Sequence, residues 1–517
     1  MFGFVVGFVF LSGLVGWLNG FVSNNWVFFT LINKVVGEIK VNEEVFLCLV
    51  MLVFCGIISI MFSNHYFYWS TNKLNQMILL FLAVMAGLML TNSYLLTLVF
   101  WEYLGFVSYL LILYYSTYDT VYAANVTLVS SRFGDVGLFL ICSCFLFSID
   151  SSSIFYSLVV SFFVVIATKS AAIPFSSWLL EAMRAPTPVS CLVHSSTLVA
   201  AGVWFACNYH YNSNSELISI LIVSCLFTII VSATSALYFT DVKKIVALST
   251  CNNISWCLVY LYMGAPLLCI MQLVSHGVAK CMLFISVGDL LSSSYSSQNS
   301  NLLSNQVNSS ESNWVFIVFL ALMVAGVPFN GIFFTKHLLA SSLLYSVNLI
   351  VLLLILYSIY LSYFYSSRLV MLVSQPIYGS NNSIHNVYLV LSALIIVSNL
   401  LNYFFWSMYN EVIGLNYLIS WGIVFSQIFG LVRGYFYGMY YSSSLWSSGL
   451  GGQDYAVKLF YWSWNKLCGV LHSLMLFRLE VATANGLFVL TQGIKSSAYA
   501  GSLVLFFLLF IISIINL

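Results

Sequence analysis

Five ionisable side chains stand inside stretches that hold almost no other charge. Glu102 lies in VFWEYLGF, Lys169 in VVIATKSAAIP, His276 and Lys280 in LVSHGVAKCMLF, and Lys336 in GIFFTKHLLA. A carboxylate, an imidazole and three primary amines are all groups that take up and release protons. Placing one such group at the centre of a bilayer costs roughly 2.5–3.5 kcal/mol by insertion scales. Each should therefore face protein or water rather than lipid. His276 and Lys280 are four residues apart and share one helix face. Arg132 and Asp135 are three apart and can pair on their own helix. Burial disfavours the charged form of lysine and of glutamate, and an opposite charge nearby restores it. A buried lysine whose partner can approach or retreat is then a proton switch. Pro174 follows Lys169 by five residues and Pro328 precedes Lys336 by eight. A proline frees a backbone carbonyl, which is tolerated at membrane depth only beside protein or water. Two broken helices with adjacent lysines suggest paired half-channels made by an internal duplication.

The elements that position these groups follow from composition. Of 517 residues, 16 are Lys or Arg and 15 are Asp or Glu, so charged residues make up 6% of the chain. A soluble globular protein carries roughly 25%. Mean hydropathy is +1.00 and 61% of residues are hydrophobic. A soluble enzyme surface cannot be built from this chain. The net charge of +1 supplies no basic stripe for nucleic acid. The apolar runs are continuous, as in 45–63, 77–100 and 389–409, which indicates helices rather than membrane β-strands. The expected fold is an all-α polytopic membrane protein of about 14–15 transmembrane helices, two of them discontinuous and set in inverted repeats. The twelve cysteines lie mostly alone in apolar runs and form neither a disulfide framework nor a metal-ligand pattern.

Five regions are expected: membrane helices over 1–74, a proton-translocating core over 75–372, further helices and a linker over 373–453, a lateral amphipathic helix over 454–499, and a transmembrane anchor over 500–517. The N-terminal run MFGFVVGFVF reads as an uncleaved first span. The alternating, charged segment 33–44 reads as a short hairpin outside the lipid. In the tail, Phe460, Trp464, Leu467, Leu471 and Leu474 recur at steps of three and four, with Lys458, Asn465, Lys466 and His472 largely opposite. That is the pattern of a helix lying along a membrane surface. A tilted extra span is the plainer alternative, but it would bury Lys458, Lys466, Arg478 and Glu480.

Plainer readings exist for the other charges too. Arg132 with Asp135 fits a structural ion pair as well as a functional one. Lys243 and Lys244 begin a span, where interfacial snorkelling is the simpler role. His65 and His385 read as loop residues.

The segment KSAAIPFSSWLLEAMRAPTPVSCLVHSSTLVAAG (169–202) resembles the core signature of the antiporter-like subunits of respiratory complex I. DVKKIVALST (241–250), SHGVAKCMLF (275–284) and VAGVPFNGIFFTKH (324–337) resemble further blocks of that family in the same order. WEYLGFVSYLLI (101–112) and SRFGDVGLFL (131–140) resemble the helices before them. The likeness covers roughly residues 75–340. The skewed composition, rich in Phe and Tyr and poor in His, resembles that of nematode-type mitochondrial proteins.

The resemblance implies a proton relay in which Glu102 partners Lys169, His194 links Lys169 to the central axis, His276 and Lys280 form the centre, and Lys336 stands near the exit. It implies that Asp135 and Asp241 tune these charges, with Arg132 and Lys243 beside them. It implies a subunit of a proton-translocating NADH:ubiquinone reductase that performs no redox chemistry itself. No cofactor or metal would be bound by this chain; FMN, iron–sulfur clusters and ubiquinone would sit in partner subunits. Implied partners are other membrane-arm subunits, especially chains 2 and 4 and the region of chains 6 and 4L reached by the lateral helix, together with accessory subunits and lipids such as cardiolipin. The implied location is the mitochondrial inner membrane. Three departures stand out. His337 occupies the place of an acid after Lys336, Arg184-Ala185 replaces Glu-Gly before PTPVS, and one N-terminal helix is missing or reduced to 24–44.

Two rival readings remain at this point. A stand-alone Mrp-type cation/proton antiporter shares the lysine–glutamate logic and differs in its assembly. A haem-bearing oxidase would use His194 and His276 as axial ligands, but it would leave Lys280 one turn from the haem and the broken helices unexplained.

Overall fold

The computed structural model describes residues 24–31, 34–67, 71–147, 152–209, 215–293, 298, 311–327, 331–342, 349–374, 417–438 and 462–471. The chain divides into two compact units, Met1–Gln453 and Asp454–Leu517.

The first unit opens with an antiparallel hairpin, β1 (Asn24–Leu31) and β2 (Lys34–Val41), in which Leu31 pairs with Lys34 and Asn24 with Val41. The hairpin expected over 33–44 is thus longer on its N-terminal side, because NNWVFFTL supplies an apolar, aromatic partner strand. Residues 43 and 44 belong instead to the first helix. Helices α1 (Glu43–Tyr66), α2 (Asn72–Leu90), α3 (Tyr94–Ile112), α4 (Tyr118–Phe147) and α5 (Ser152–Lys169) follow. After a break come α6 (Ser177–Glu181), a 3₁₀ turn (Ala182–Arg184), α7 (Thr187–Leu192), a π segment (Val193–Thr197) and α8 (Leu198–Asn208). The unit continues through α9 (Ser215–Ala236), α10 (Val242–Tyr262), α11 (Pro266–Ser293), α12 (Glu311–Ala325), α13 (Gly331–Ser342), α14 (Leu349–Val373) and α15 (Tyr417–Gly438).

Among the described residues, seven helices are long and apolar enough to cross a membrane: α1 to α4, α10, α11 and α14. Their burial separates centre from rim. In α10 and α11, 94% of the apolar window is covered by protein, against 39% for α3. The two central helices carry Lys243, Asn252, Asn253, Gln272, His276 and Lys280 in buried positions, as a lipid-excluded location allows. Many serine and threonine hydroxyls return to carbonyls three or four residues back and so add no unpaired donor; Ser59, Ser108 and Thr250 are examples.

The apolar stretch 188–208 has the length of a span but is not one regular helix. Ser195 donates to Cys191 O, and Thr197 Oγ1 donates to Leu192 O at 2.8 Å. The Leu198 N–H reaches Val193 O, five residues back. These hydroxyls compete for the helix carbonyls and widen the turn. His65, expected in a loop, is in the last turn of α1, and its Nε2 lies 3.6 Å from Asp289 Oδ1 on α11.

In the second unit, residues 462–471 are helical. The other residues of the expected lateral helix, the spans near 2–22 and 387–409, His385 and the anchor over 500–517 lie outside the described residues.

Candidate proton-relay site

Both breaks lie where the lysine and proline spacing places them. At the first, α5 ends on Lys169 and the chain turns through Ala171, whose φ is 55°, before Pro174 and α6. The freed carbonyls find local donors. Ile166 O accepts from Ser170 Oγ at 2.6 Å and from its N–H at 2.9 Å, and Ala167 O accepts from the Ala172 N–H at 3.0 Å. Ala171 O accepts from Cys251 Sγ at 3.2 Å. α8 presses against this break at Gly202, where a Cβ would stand 3.0 Å from Ser170 N.

Lys169 itself is 1% exposed, and its Nζ has no hydrogen-bond partner. The nitrogen lies 5.1 Å from the centre of the Trp101 ring. Beside it is a small cavity lined by Ser108, Thr127, Ser130, Ser131 and Thr168 together with Ile112, Trp178 and Leu198. The carboxylate acting most strongly on Lys169 is Asp135. Glu102 points elsewhere. It follows Trp101 on α3, so when the ring turns inward over Lys169 the carboxylate turns about 100° away. Its Oε2 lies 3.9 Å from Arg132 Nη1, and its side chain is 37% exposed. Arg132 also holds Asp135 at 3.0 Å, as the i, i+3 spacing predicts. The chain of charge near the first break therefore runs Glu102, Arg132, Asp135, Lys169, with arginine as the bridge.

At the centre, Lys280 is buried on α11 and reaches α10. It donates to Ser249 Oγ, and to Val246 O at 3.3 Å. His276, one turn away and 1% exposed, has neither ring nitrogen hydrogen-bonded. It feels the charges of both Lys280 and Lys336. Gln272, one further turn back, accepts from Thr335 on α13. One face of α11 thus carries Gln272, His276 and Lys280 at steps of four.

At the second break, α12 ends at Ala325, and Gly326 takes a φ of 91° that suits glycine. Lys336 is on α13. Its Nζ donates to Ala325 O at 2.7 Å and to Ser362 Oγ at 3.2 Å, and lies 5.8 Å from the centre of the Trp256 ring. Tyr363 OH donates to Gly326 O. His337 follows Lys336 in α13. Pro328 falls within 328–330, outside the described residues.

α10 touches all three lysine environments. Cys251 meets the first break, Ser249 accepts from Lys280, and Trp256 underlies Lys336. Ser249, Asn253 and Trp256 recur at steps of four and three, and Asn253 Nδ2 donates to Ser249 O at 3.0 Å. Ser249 and Trp256 are about 10 Å apart along the axis, given 1.5 Å of rise per residue. Asn252 on the same helix is buried with both amide atoms unpaired. Ser249, Asn252 and Asn253 thus place buried hydrogen-bonding groups on the helix that reaches all three lysine environments.

Other expected residues fall at the ends of the bundle. Asp241 precedes α10 and pairs with Lys244 at 3.1 Å. Lys243 does not snorkel. It is 5% exposed and its Nζ is 3.5 Å from Ala185 O, because α10 enters the bundle with its first turn already packed. Arg184 bridges Glu181 at 2.9 Å and Asp119 at 3.2 Å, which gives the Arg184-Ala185 departure a structural use. His194 lies in the π segment. Sequence reasoning passed over Trp101, Ser249, Trp256, Ser362 and the π turn. The run His194-Ser-Ser-Thr was the legible sign of the last, since consecutive hydroxyl residues compete for helix carbonyls.

A multi-pass helical bundle with broken helices and buried lysines defines a class of membrane ion translocators. The chain belongs to the NADH:quinone oxidoreductase/Mrp antiporter transmembrane family, which residues 91–362 match. It is similar to NADH-ubiquinone oxidoreductase chain 5 of Mytilus edulis, with 34% identity over 60% of this chain and 57% of that one. The protein of the same name from Caenorhabditis elegans is 34% identical over 59% of each chain. That from Ascaris suum is 31% identical over 71% of this chain and 68% of its own. The match to the mussel and C. elegans relatives thus spans a little over half of their length. Among solved structures, the Mrp complex from Dietzia sp. shares the fold with a TM-score of 0.76 at 17% identity, over 95% of this chain and 60% of that one. The membrane-bound sulfane sulfur reductase, an archaeal respiratory membrane complex, shares it with a TM-score of 0.65 at 18% identity, over 83% and 93%.

Proposed function

We propose that the chain is a proton-translocating core subunit in the membrane arm of respiratory complex I, in the mitochondrial inner membrane. Three buried lysines arranged along α10 carry this reading. Each sits beside either a helix break or an unpaired buried histidine. The chain moves protons only: Lys169, Lys280 and Lys336 exchange them in turn, with His276 between the second and third. A proton arriving at one amine repels a proton at the next, so transfer in one direction needs an external push. That push would come from NADH oxidation and ubiquinone reduction in partner subunits that hold FMN and iron–sulfur clusters. Membrane-arm chains, among them chains 2 and 4 and the chain 6/4L region, accessory subunits and lipids such as cardiolipin would surround this chain.

Affinity purification from mitochondrial membranes tests the proposal. The expected result is co-purification with flavin- and iron–sulfur-containing subunits, and NADH-driven proton uptake in sealed vesicles. The likeness in fold to an Mrp complex supports the second reading, a cation/proton antiporter subunit. Recovery as a redox-free complex with sodium/proton exchange would establish that reading and overturn the first.

A further inference from the structure

The lysines beside the two breaks lack what a buried cation ordinarily has. Among the described residues, no carboxylate lies within ion-pair distance of Lys169 or Lys336. Lys169 has no hydrogen-bond acceptor at all. What each does have is a tryptophan. Trp101 on α3 and Trp256 on α10 are both 0% exposed, and each places its ring within 6 Å of an ammonium. The face of an indole carries negative electrostatic potential and attracts a cation, most strongly where water is excluded.

The setting of each ring supports a role for its face. A buried tryptophan usually finds a partner for its N–H; Trp101 Nε1 and Trp256 Nε1 have none, a state they share with Trp204. Each ring is also held by a second aromatic side chain. Trp101 meets Phe205 edge-on at 5.5 Å, and Trp256 stacks near Tyr260 at 6.1 Å. The same device occurs on two helices that are not sequence neighbours. Lys280, which is not at a break, is held by Ser249 and Val246 O, and Lys336 adds hydrogen bonds to Ala325 O and Ser362 Oγ to its ring contact.

We infer that Trp101 and Trp256 are positioning residues that act as the counter-groups of Lys169 and Lys336, each holding a protonated lysine over an indole face where a carboxylate would hold it too firmly to let the proton go. This rests on the proton-relay reading above and adds the groups that make two of its stations reversible.

The test uses sealed inner-membrane vesicles containing the whole assembly, and reads protons moved per NADH oxidised alongside quinone-reductase turnover. Trp101→Phe and Trp256→Phe keep a π face; Trp101→Met and Trp256→Met keep apolar bulk without one. The expected result is that each Met variant lowers pumping by roughly tenfold, while each Phe variant keeps more than half. The Trp101→Met loss should vanish in a Lys169→Met background. If a Met variant fails to assemble, fluorinated tryptophan preserves shape while weakening the ring face. It should lower pumping in the native chain and lower it much less in the Trp101→Phe/Trp256→Phe chain. Equal pumping by Phe and Met variants, or no effect of fluorination, overturns the inference and leaves the relay standing. Full pumping by Lys169→Met and Lys336→Met overturns the relay itself.

Discussion

The two helix breaks solve one problem with their lysines in opposite roles. Ending a helix inside a membrane leaves carbonyls that must find donors. At the first break Ser170 and Ala172 supply them locally and Cys251 of α10 supplies one more, so Lys169 is left over with an aromatic face and a small cavity. At the second break Leu322 O likewise accepts from the Gly326 and Val327 N–H groups, but Lys336 of α13 closes the end of α12 through Ala325 O. Its neighbour Tyr363 closes Gly326 O. One lysine is therefore spare and the other is a helix cap. A spare amine can reorient without breaking the fold. A capping amine has to release a carbonyl whenever it moves, so its motion is tied to the geometry of the break.

The largest expected effect separates these roles. Lys336→Met should abolish pumping and also reduce assembly, since a buried carbonyl left without its donor costs about 1–3 kcal/mol. Lys169→Met should lower pumping strongly but to a measurable rate, and yet leave assembly normal or improved, because it removes a buried amine that has no acceptor. Native gels with a heat step, run beside proton uptake, measure both. Equal assembly of the two variants would erase the distinction.

A smaller effect probes the backbone of each break. Gly326 and Ala171 both have positive φ, 91° and 55°, but only one is glycine. Gly326→Ala should destabilise by about 1 kcal/mol or more, and Ala171→Gly should be neutral or stabilise by several tenths, as left-handed backbone is relieved against added freedom in the unfolded chain. Thermal melts of the purified assembly, followed by loss of this chain from the complex, report the two signs.

How much of this was legible beforehand depended on whether a residue acts through its own type or through its surroundings. Lys169, Lys280 and Lys336 declared themselves because charge in an apolar run has a cost that needs a reason. The breaks declared themselves through Pro174 and through the Gly326 to Gly331 stretch. The pairing of Arg132 with Asp135 followed from helical spacing. The aim of Glu102 did not, because one residue's difference on a helix decides whether Trp101 or Glu102 faces the lysine, and no pattern in WEYLGF chooses between them. Lys243 looked interfacial by its position and is buried through packing at the start of α10. Ser249 and Ser362 are ordinary hydroxyls until the fold brings a lysine to them. The hairpin was half visible, since its charged strand stood out and its apolar strand resembled membrane sequence.

The finest distinction concerns which acid speaks to Lys169. The resemblance assigns that role to Glu102, and the structure interposes Arg132 and brings Asp135 to bear more strongly. A double-mutant cycle separates them. Asp135→Asn with Lys169→Met should show a coupling of about 0.5 kcal/mol or more in log pumping rate, as expected for groups that interact. Glu102→Gln with Lys169→Met should add to within about 0.5 kcal/mol, as expected for groups without a shared contact. Neutralising Glu102 alone should have a modest effect, because its side chain is more than a third exposed and 3.9 Å from its arginine. A further arm sharpens the test. In an Arg132→Met background the interposed cation is gone, and Glu102 should then couple to Lys169 more than it does in the native chain. If Glu102 couples to Lys169 more strongly than Asp135 while Arg132 is present, the arginine bridge is not the working connection, and the first break uses its acid as the resemblance implies.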